Sequence, residues 1–148
     1  QYLTVEPLFD EELVLVMPPG HPLAERKRIT VADLHSEPFV LLGEAHCLTG
    51  NVLSFCRQKA FQPVLTGRTS QLATVQELVA LGHGVSLVPE SAARADESGR
   101  RVYRSLAGEK PRRTVALCWN PYRYQSRLLK SFLGCVRGRM NPAGAKSG

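Results

Sequence analysis

The sequence predicts an α/β fold, and three observations lead to that prediction. Two short apolar runs typical of buried strands, Phe39–Leu42 and Val85–Val88, bracket two longer stretches with helical periodicity. Gly82 follows the second stretch, where a glycine suits the left-handed residue that ends many helices. The chain of 148 residues is 43% hydrophobic and 22% charged, which is ordinary for a globular domain with a sizeable core.

The N-terminal elements are predicted to be strands, a turn and a short helix. Leu3–Val5 alternates in polarity and Glu12–Met17 is mostly apolar, so we expect two strands separated by Pro7 and an acidic group. Pro18–Pro22 is typical of a rigid turn. Thr30–Leu34 has the pattern of a capped helical turn.

The centre of the chain is predicted to alternate strand and helix. After the strand at Phe39–Leu42, a helix is expected to run to about Ala60. Val64–Thr66 then forms a strand, and Arg68–Ser70 begins the next helix with one of its hydroxyl groups as N-cap.

Two strands and an amphipathic helix are expected to complete the domain. Val102–Leu106 and Thr114–Trp119 have strand patterns, and Gln125–Val136 has a helical one. Cys118 is predicted to lie in or near the core, and Cys135, beside the apolar stripe of the helix, is predicted to be structural.

Charge and composition exclude several classes of protein. The net charge is +6, but the basic residues are scattered and form no compact motif for entering a DNA groove, so solvated basic faces are favoured. No apolar run approaches the roughly 18 residues of a membrane span, and no leader is visible, so we expect a cytoplasmic protein with no membrane partner. The four cysteines lack zinc-site spacing, and Gly82–Gly84 follows a helix rather than a strand, so no metal and no cofactor are expected.

Cys47 is expected to sit where a strand gives way to a helix. Unpaired backbone N–H groups and the helix dipole favour negative charge at such a junction, so a thiol there ionises more easily. His46 would add to this effect if protonated.

Cys56 is expected to be buried on the same helix. It continues an apolar stripe at helical spacing, which consists of Leu48, Val52 and Phe55. Nine residues of helix rise about 13.5 Å, whereas a disulfide requires Cα atoms within about 7 Å, so the two cysteines could bond only after the helix unwinds. Two interpretations stay open at this point. The two cysteines could form a redox switch, or Cys56 could be a small core residue and Cys47 an incidental thiol.

Arg68-Thr69-Ser70 occupies the other strand-to-helix junction. N–H groups, hydroxyls and a cation converging there suit a small anion, while simple capping with a surface arginine explains the residues equally well. Both junctions could line one cleft at the carboxyl ends of the strands.

Several segments resemble the regulatory region of LysR-type transcriptional regulators. They are Glu6–Val16 with Pro19–Leu23, Thr30–Leu34 and Leu81–Pro89, and the resemblance covers about residues 3–137. It implies a periplasmic-binding-protein-like α/β fold, of which this chain holds the second subdomain and part of the first. It also implies that the DNA-binding domain lies upstream of this chain.

A finer resemblance is to the OxyR subfamily of peroxide sensors, through His46-Cys47-Leu48, Phe55-Cys56 and Lys110–Thr114. This resemblance implies that Cys47 reacts with peroxide, that Cys56 resolves the product as a disulfide, and that His46 is an active-site neighbour. The chain departs from the subfamily pattern at Ala45 and at Thr49-Gly50-Asn51, and Gly50 makes the helix easier to unwind.

We therefore expect a regulatory domain over residues 1–137 and a disordered tail over residues 138–148. It would sense hydrogen peroxide through a reversible Cys47–Cys56 disulfide, act on promoter DNA only through the upstream domain, and form a homodimer or homotetramer. It is not expected to be an enzyme. The alternatives are an effector domain that binds a small organic anion at Arg68–Ser70 with incidental cysteines, and a thiol peroxidase.

Overall fold

The computed structural model describes residues 2–43 and 46–140. The strands are β1 (Thr4–Met17), β2 (Pro38–Leu42), β3 (Val64–Thr69), β4 (Ser86–Pro89), β5 (Val102–Arg104) and β6 (Arg112–Trp119). The helices are α1 (Cys47–Gln58), α2 (Leu72–Ala80), α3 (Glu90–Arg94) and α4 (Arg127–Met140), with a 3-10 turn at Val31–Leu34. The chain forms two units, residues 11–113 and the segments on either side of them. This mixture of sheets and helices is the predicted α/β class.

In the larger unit, β4 and β5 pair with β1 in antiparallel orientation, with Leu15 opposite both Leu87 and Arg104. β2 and β3 form a separate parallel pair. Val85, the residue before β4, connects the antiparallel strands to the parallel pair. The amide of Val40 donates to the carbonyl oxygen of Val85 (2.9 Å), and the amide of Val85 donates to the carbonyl oxygen of Pro38 (2.8 Å). β2 therefore lies between β3 and the residue before β4, and its first half is hydrogen-bonded on both sides.

Gly84 makes this close approach possible. Its φ is +149°, and a Cβ atom at this position would lie only 2.4 Å from the carbonyl oxygen of Pro38. Any side chain here would push β2 away from the strand that follows α2.

The end of α2 is the glycine cap that the sequence predicts. Gly82 has a φ of +83°, its amide donates to the carbonyl of Val79 (2.9 Å), and the amide of His83 donates to that of Leu78 (3.0 Å). These two bonds form the Schellman arrangement, in which a left-handed residue satisfies the last carbonyls of a helix.

The core of the larger unit is one continuous apolar cluster. Side chains from the inner faces of the strands and from the inner sides of α1 and α2 form this cluster. Its largest fully buried members are Phe39, Phe61, Leu13, Leu15, Met17, Ile29, Leu34, Leu87 and Leu106. The last residues of β2, Leu41 and Leu42, belong to this cluster.

The first two predicted strands are one strand. β1 runs without interruption from Thr4 to Met17, so the prediction that Pro7 separates two strands is wrong. Pro7 is exposed. The fixed φ of proline is compatible with extended backbone, and proline is tolerated in a strand where its missing N–H faces away from the ladder.

The smaller unit contains the first part of β1, most of β6, which pairs with β1, and α4. Arg137 of α4 contacts the carboxylate of Glu6 (Nη2···Oε2 2.5 Å) and lies 5.6 Å from the ring centre of Trp119. Of the apolar residues of α4, Leu133 is buried, while Leu128 and Phe132 are 81% and 58% exposed. No helix within the described ranges is long and apolar enough to cross a membrane.

Three predictions for this unit need correction. α4 ends at Met140, so residues 138–140 are helical, whereas the rest of the predicted tail lies outside the described residues. Cys118 is exposed rather than core, because it occupies the outward position of the alternating β6, opposite the face of Trp119. Cys135 is also exposed, and no buried packing supports the structural role predicted for it.

Candidate functional site

The carboxyl ends of β2 and β3 lie side by side. The two strands are parallel, with Leu41 opposite Arg68 and Leu42 opposite Thr69. Just beyond them, the amide of Gly43 donates to the carbonyl of Thr69 at 2.8 Å. The two junctions identified in the sequence are therefore neighbours at one edge of the parallel pair.

Cys47 is the first residue of α1 and is exposed. His46 is the N-cap, with extended backbone, and its side chain makes no capping hydrogen bond. Its carbonyl accepts the amide of Thr49 at 3.0 Å, which closes the first turn. The first amides of a helix have no acceptor within it, so the amides beside Cys47 are directed toward the start of α1.

Thr49 attaches this first turn to the strand. Its hydroxyl donates to the carbonyl oxygen of Leu42, the last residue of β2, at 2.9 Å, and Thr49 is only 4% exposed. In the sequence, Thr49 stands out only as a departure from the subfamily pattern. The signal for its role is a hydroxyl on the buried side of an apolar stripe, because a buried hydroxyl requires a hydrogen-bond partner.

Cys56 lies in the last turn of α1 and is 1% exposed, as predicted. Burial raises the pKa of its thiol to about 11. Cys47 and Cys56 are free thiols in one continuous helix, separated by about 13.5 Å of helical rise. No disulfide joins them in this conformation.

The end of α1 carries backbone strain next to Cys56. Ala60 has a φ of +51°, its amide donates to the carbonyl of Arg57 (3.0 Å), and that of Phe61 donates to Cys56 (2.8 Å). This is a Schellman ending with alanine in the left-handed position that glycine usually occupies. The left-handed conformation costs a residue with a Cβ about 1–2 kcal/mol.

Arg68-Thr69-Ser70 does not begin a helix, and that prediction is wrong. Arg68 and Thr69 belong to β3, because their ladder with β2 continues to Thr69. α2 begins at Leu72, with Gln71 as an N-cap that makes no side-chain hydrogen bond. The predicted hydroxyl cap is therefore absent from the start of α2, and Arg68 and Ser70 are exposed beside the end of β2.

A groove of about 230 Å³ lies along α1. It is lined by Asn51, Ser54, Phe55 and Gln58 of the helix, by Glu109–Pro111 of the loop before β6 and by Arg112, the first residue of β6. Lys59 forms an ion pair with Glu109 across one end of the groove. The Lys110–Thr114 segment, singled out in the sequence, therefore begins beside the helix that carries both cysteines.

Known proteins are similar to this chain in sequence and in fold. A "Probable hydrogen peroxide-inducible genes activator" of Mycobacterium avium is 37% identical over 117 residues, which are 78% of this chain and 38% of that protein. The "DNA-binding transcriptional dual regulator OxyR" of Escherichia coli is 30% identical over 136 residues, 91% of this chain and 45% of that protein. This chain thus spans less than half the length of these two relatives.

Among solved structures, the reduced form of the OxyR regulatory domain from Pseudomonas aeruginosa superposes with a TM-score of 0.78 and 32% identity. The match covers 92% of this chain and 66% of that one. The family described as "LysR substrate binding domain" matches residues 2–141, nearly the whole sequence. The chain therefore belongs to the LysR substrate-binding domain family.

Proposed function

We propose that this chain is the regulatory domain of a transcription factor that senses hydrogen peroxide through a reversible Cys47–Cys56 disulfide. The observation that carries the proposal is the placement of the two thiols on α1. Cys47 is exposed at the helix N-terminus, and Cys56 is buried near its C-terminus. Forming the bond requires α1 to open, so oxidation would be coupled to a change of conformation.

The chemistry is a two-electron oxidation of two thiols. The Cys47 thiolate attacks one peroxide oxygen, the O–O bond breaks, and the departing hydroxide takes up a proton to leave water and a sulfenic acid. The Cys56 sulfur then attacks the Cys47 sulfur, the S–O bond breaks, and the hydroxide leaves as water with the proton of Cys56. Peroxide is reduced to two waters, and a later reductant would restore the thiols.

Burial of Cys56 orders these steps. A thiol with a pKa of about 11 is almost fully protonated at neutral pH, and the neutral thiol is a poor nucleophile. Opening of α1 would bring Cys56 within reach of Cys47. It would also expose the Cys56 thiol and so lower the pKa of that thiol toward the usual range. The exposed thiol therefore reacts with peroxide first, and the buried one reacts only after the helix has opened.

The names of relatives support hydrogen peroxide as the signal that this domain senses. Proteins of Mycobacterium avium and Pectobacterium carotovorum that match 78% of this chain are named hydrogen peroxide-inducible genes activators. By analogy with them, we propose that the domain acts in the cytoplasm, in a homodimer or homotetramer. Promoter DNA would be contacted by another part of the full-length protein, and opening of α1 would change the packing of the oligomer.

The decisive experiment is thiol mapping by mass spectrometry after less than one equivalent of peroxide. We expect a peptide pair linked through Cys47 and Cys56, lost on addition of dithiothreitol and absent from the Cys47→Ser variant. Sulfenic acid at Cys47 should be trapped by dimedone when Cys56 is replaced by serine. Consumption of the added peroxide with neither the bond nor the sulfenic acid formed would contradict the proposal.

Turnover separates a sensor from a thiol peroxidase. A sensor consumes about one equivalent of peroxide for each disulfide formed. In the presence of dithiothreitol the sensor also consumes peroxide, but no faster than its disulfide forms and is reduced again. Peroxide consumption by this domain faster than that cycle would instead identify an enzyme.

A second candidate function is the binding of a small organic anion. It is favoured by the bond between Gly43 and Thr69, which holds the exposed Arg68 and Ser70 beside the end of β2. Such a ligand would raise the melting temperature of the reduced protein, and the shift would be lost in Arg68→Met. This function would be favoured if an organic acid raises the melting temperature of the protein and peroxide oxidises neither Cys47 nor Cys56.

A further inference from the structure

Thr49 is a buried polar residue at the start of the helix that must open. Its hydroxyl donates to the carbonyl oxygen of Leu42 at 2.9 Å, and the residue is 4% exposed. The acceptor belongs to the end of β2, which is itself held by the bond between Gly43 and Thr69. This contact therefore links the first turn of α1 to a fixed strand end.

Few other features of this turn favour the helical conformation. The N-cap side chain of His46 makes no hydrogen bond to the helix. Gly50 lies in this turn, and glycine is among the poorest helix formers. Cys47 is exposed and contributes no core packing, whereas Leu48 is buried. The burial of Leu48 and the hydroxyl of Thr49 are thus the main attachments of the turn that presents Cys47.

We propose that Thr49 is a positioning residue whose hydroxyl latches the first turn of α1 to β2, and so sets how fast Cys47 can leave the helix to meet Cys56. This inference rests on the proposed function. Loss of the hydroxyl removes the latch and leaves the Leu42 carbonyl buried without its partner, so the closed turn is destabilised while the open one is not.

The test compares Thr49→Val, which keeps the shape and removes the hydroxyl, with Thr49→Ser, which keeps the hydroxyl. Two quantities are measured: the rate at which Cys47 sulfenic acid converts to the disulfide, and hydrogen–deuterium exchange of the residue 47–51 amides in the reduced protein. In Thr49→Val both should rise by a similar factor, about 5- to 160-fold, the effect of leaving a buried acceptor without its partner. Thr49→Ser should stay within about twofold of the wild type.

Thr74→Val is the matched control, because Thr74 is an exposed threonine in the first turn of α2. It should change neither quantity. If Thr49→Val does not fold, Thr49→Ala removes the same hydroxyl and should give faster exchange at residues 47–51.

Two results would contradict the role proposed for Thr49. One is unchanged hydrogen–deuterium exchange at residues 47–51 in the variants without the hydroxyl. The other is an unchanged rate of conversion of Cys47 sulfenic acid to the disulfide in those variants. A wild-type protein that never forms the Cys47–Cys56 bond would instead contradict the proposed function. The exchange measurement needs no disulfide, so it still decides whether Thr49 holds the turn.

Discussion

The amide of Phe61 donates to the carbonyl oxygen of Cys56 at 2.8 Å, so the end of α1 is fixed around the buried thiol. This bond requires Ala60 to adopt a φ of +51°. Phe61 is itself fully buried and packs against Phe39, with ring centres 5.8 Å apart. The strained residue is thus held between the helix and a core aromatic side chain, and opening of the helix would release the strain.

Replacing Ala60 by glycine should stabilise the reduced protein. Glycine adopts the left-handed conformation without the Cβ penalty, so we expect a gain of about 1 kcal/mol in the free energy of unfolding, measured with urea under reducing conditions. The same stabilisation should slow Cys47–Cys56 disulfide formation about fivefold, because 1.4 kcal/mol corresponds to a factor of ten.

A glycine in an ordinary helical position gives the opposite sign. Ala73 is exposed on α2, and Ala73→Gly should destabilise the protein by about 0.5–1 kcal/mol. If Ala60→Gly lowers the free energy of unfolding as Ala73→Gly does, the left-handed conformation of Ala60 does not destabilise the reduced protein.

The buried thiol of Cys56 predicts a loss of stability in alkaline solution. Its pKa rises from about 9 in the unfolded chain to about 11 in the fold. Between these values the unfolded chain has released the proton and the folded one still binds it, so deprotonation favours unfolding. The contribution is fully present below pH 9 and falls by about 2–3 kcal/mol as the pH rises through 11.

Urea unfolding at several pH values, with reductant present, would measure this effect. Cys56→Ala removes the titrating group, so its stability should change less between pH 8 and 11 than that of the wild type. Parallel pH profiles for the two proteins would show that the thiol ionises as easily in the fold as in the unfolded chain.

The sequence predicted α1 well because several local signals agree there. A strand-like run precedes it, an apolar stripe fixes its buried side, and Cys56 continues that stripe. The burial of Cys56 follows from the periodicity of the stripe, and the position of Cys47 at the helix start follows from the strand-like run before it. The partner of Thr49 did not, since Leu42 becomes its acceptor only once the helix packs on β2.

Predictions failed where pairing between strands overrode a local preference. Thr69 looks like a helix cap in the sequence, yet its backbone continues the ladder opposite Leu42. Cys118 looks like a core residue in an apolar run, yet strand alternation turns it outward. Neither outcome can be derived without knowing which strands are neighbours and which face is covered.

Gly84→Ala should be among the most destabilising single changes in the larger unit. The added methyl group would meet the Pro38 carbonyl oxygen at 2.4 Å, and the φ of +149° is itself unfavourable for alanine. We expect a loss of more than about 3 kcal/mol, on the scale of severe backbone and packing defects. Gly82→Ala is the control, because it has a φ of +83° but open space around it, so it should lose only about 1–2 kcal/mol. Equal losses would mean that the approach of β2 to Gly84 is not tightly constrained.

The two exposed cysteines outside α1 should play no part in the switch. Cys118 lies on β6 and Cys135 on α4, both exposed, so both should react rapidly with iodoacetamide in the folded protein, whereas Cys56 should not. A Cys118→Ser, Cys135→Ser double variant should therefore form the Cys47–Cys56 disulfide at the wild-type rate, measured by mass spectrometry after rapid alkylation. It should also lose the cross-linked dimers that form through Cys118 or Cys135 on prolonged oxidation, because exposed thiols of two chains can meet. If the double variant no longer forms the intramolecular bond, the oxidising equivalents reach Cys56 through one of these thiols rather than directly from Cys47.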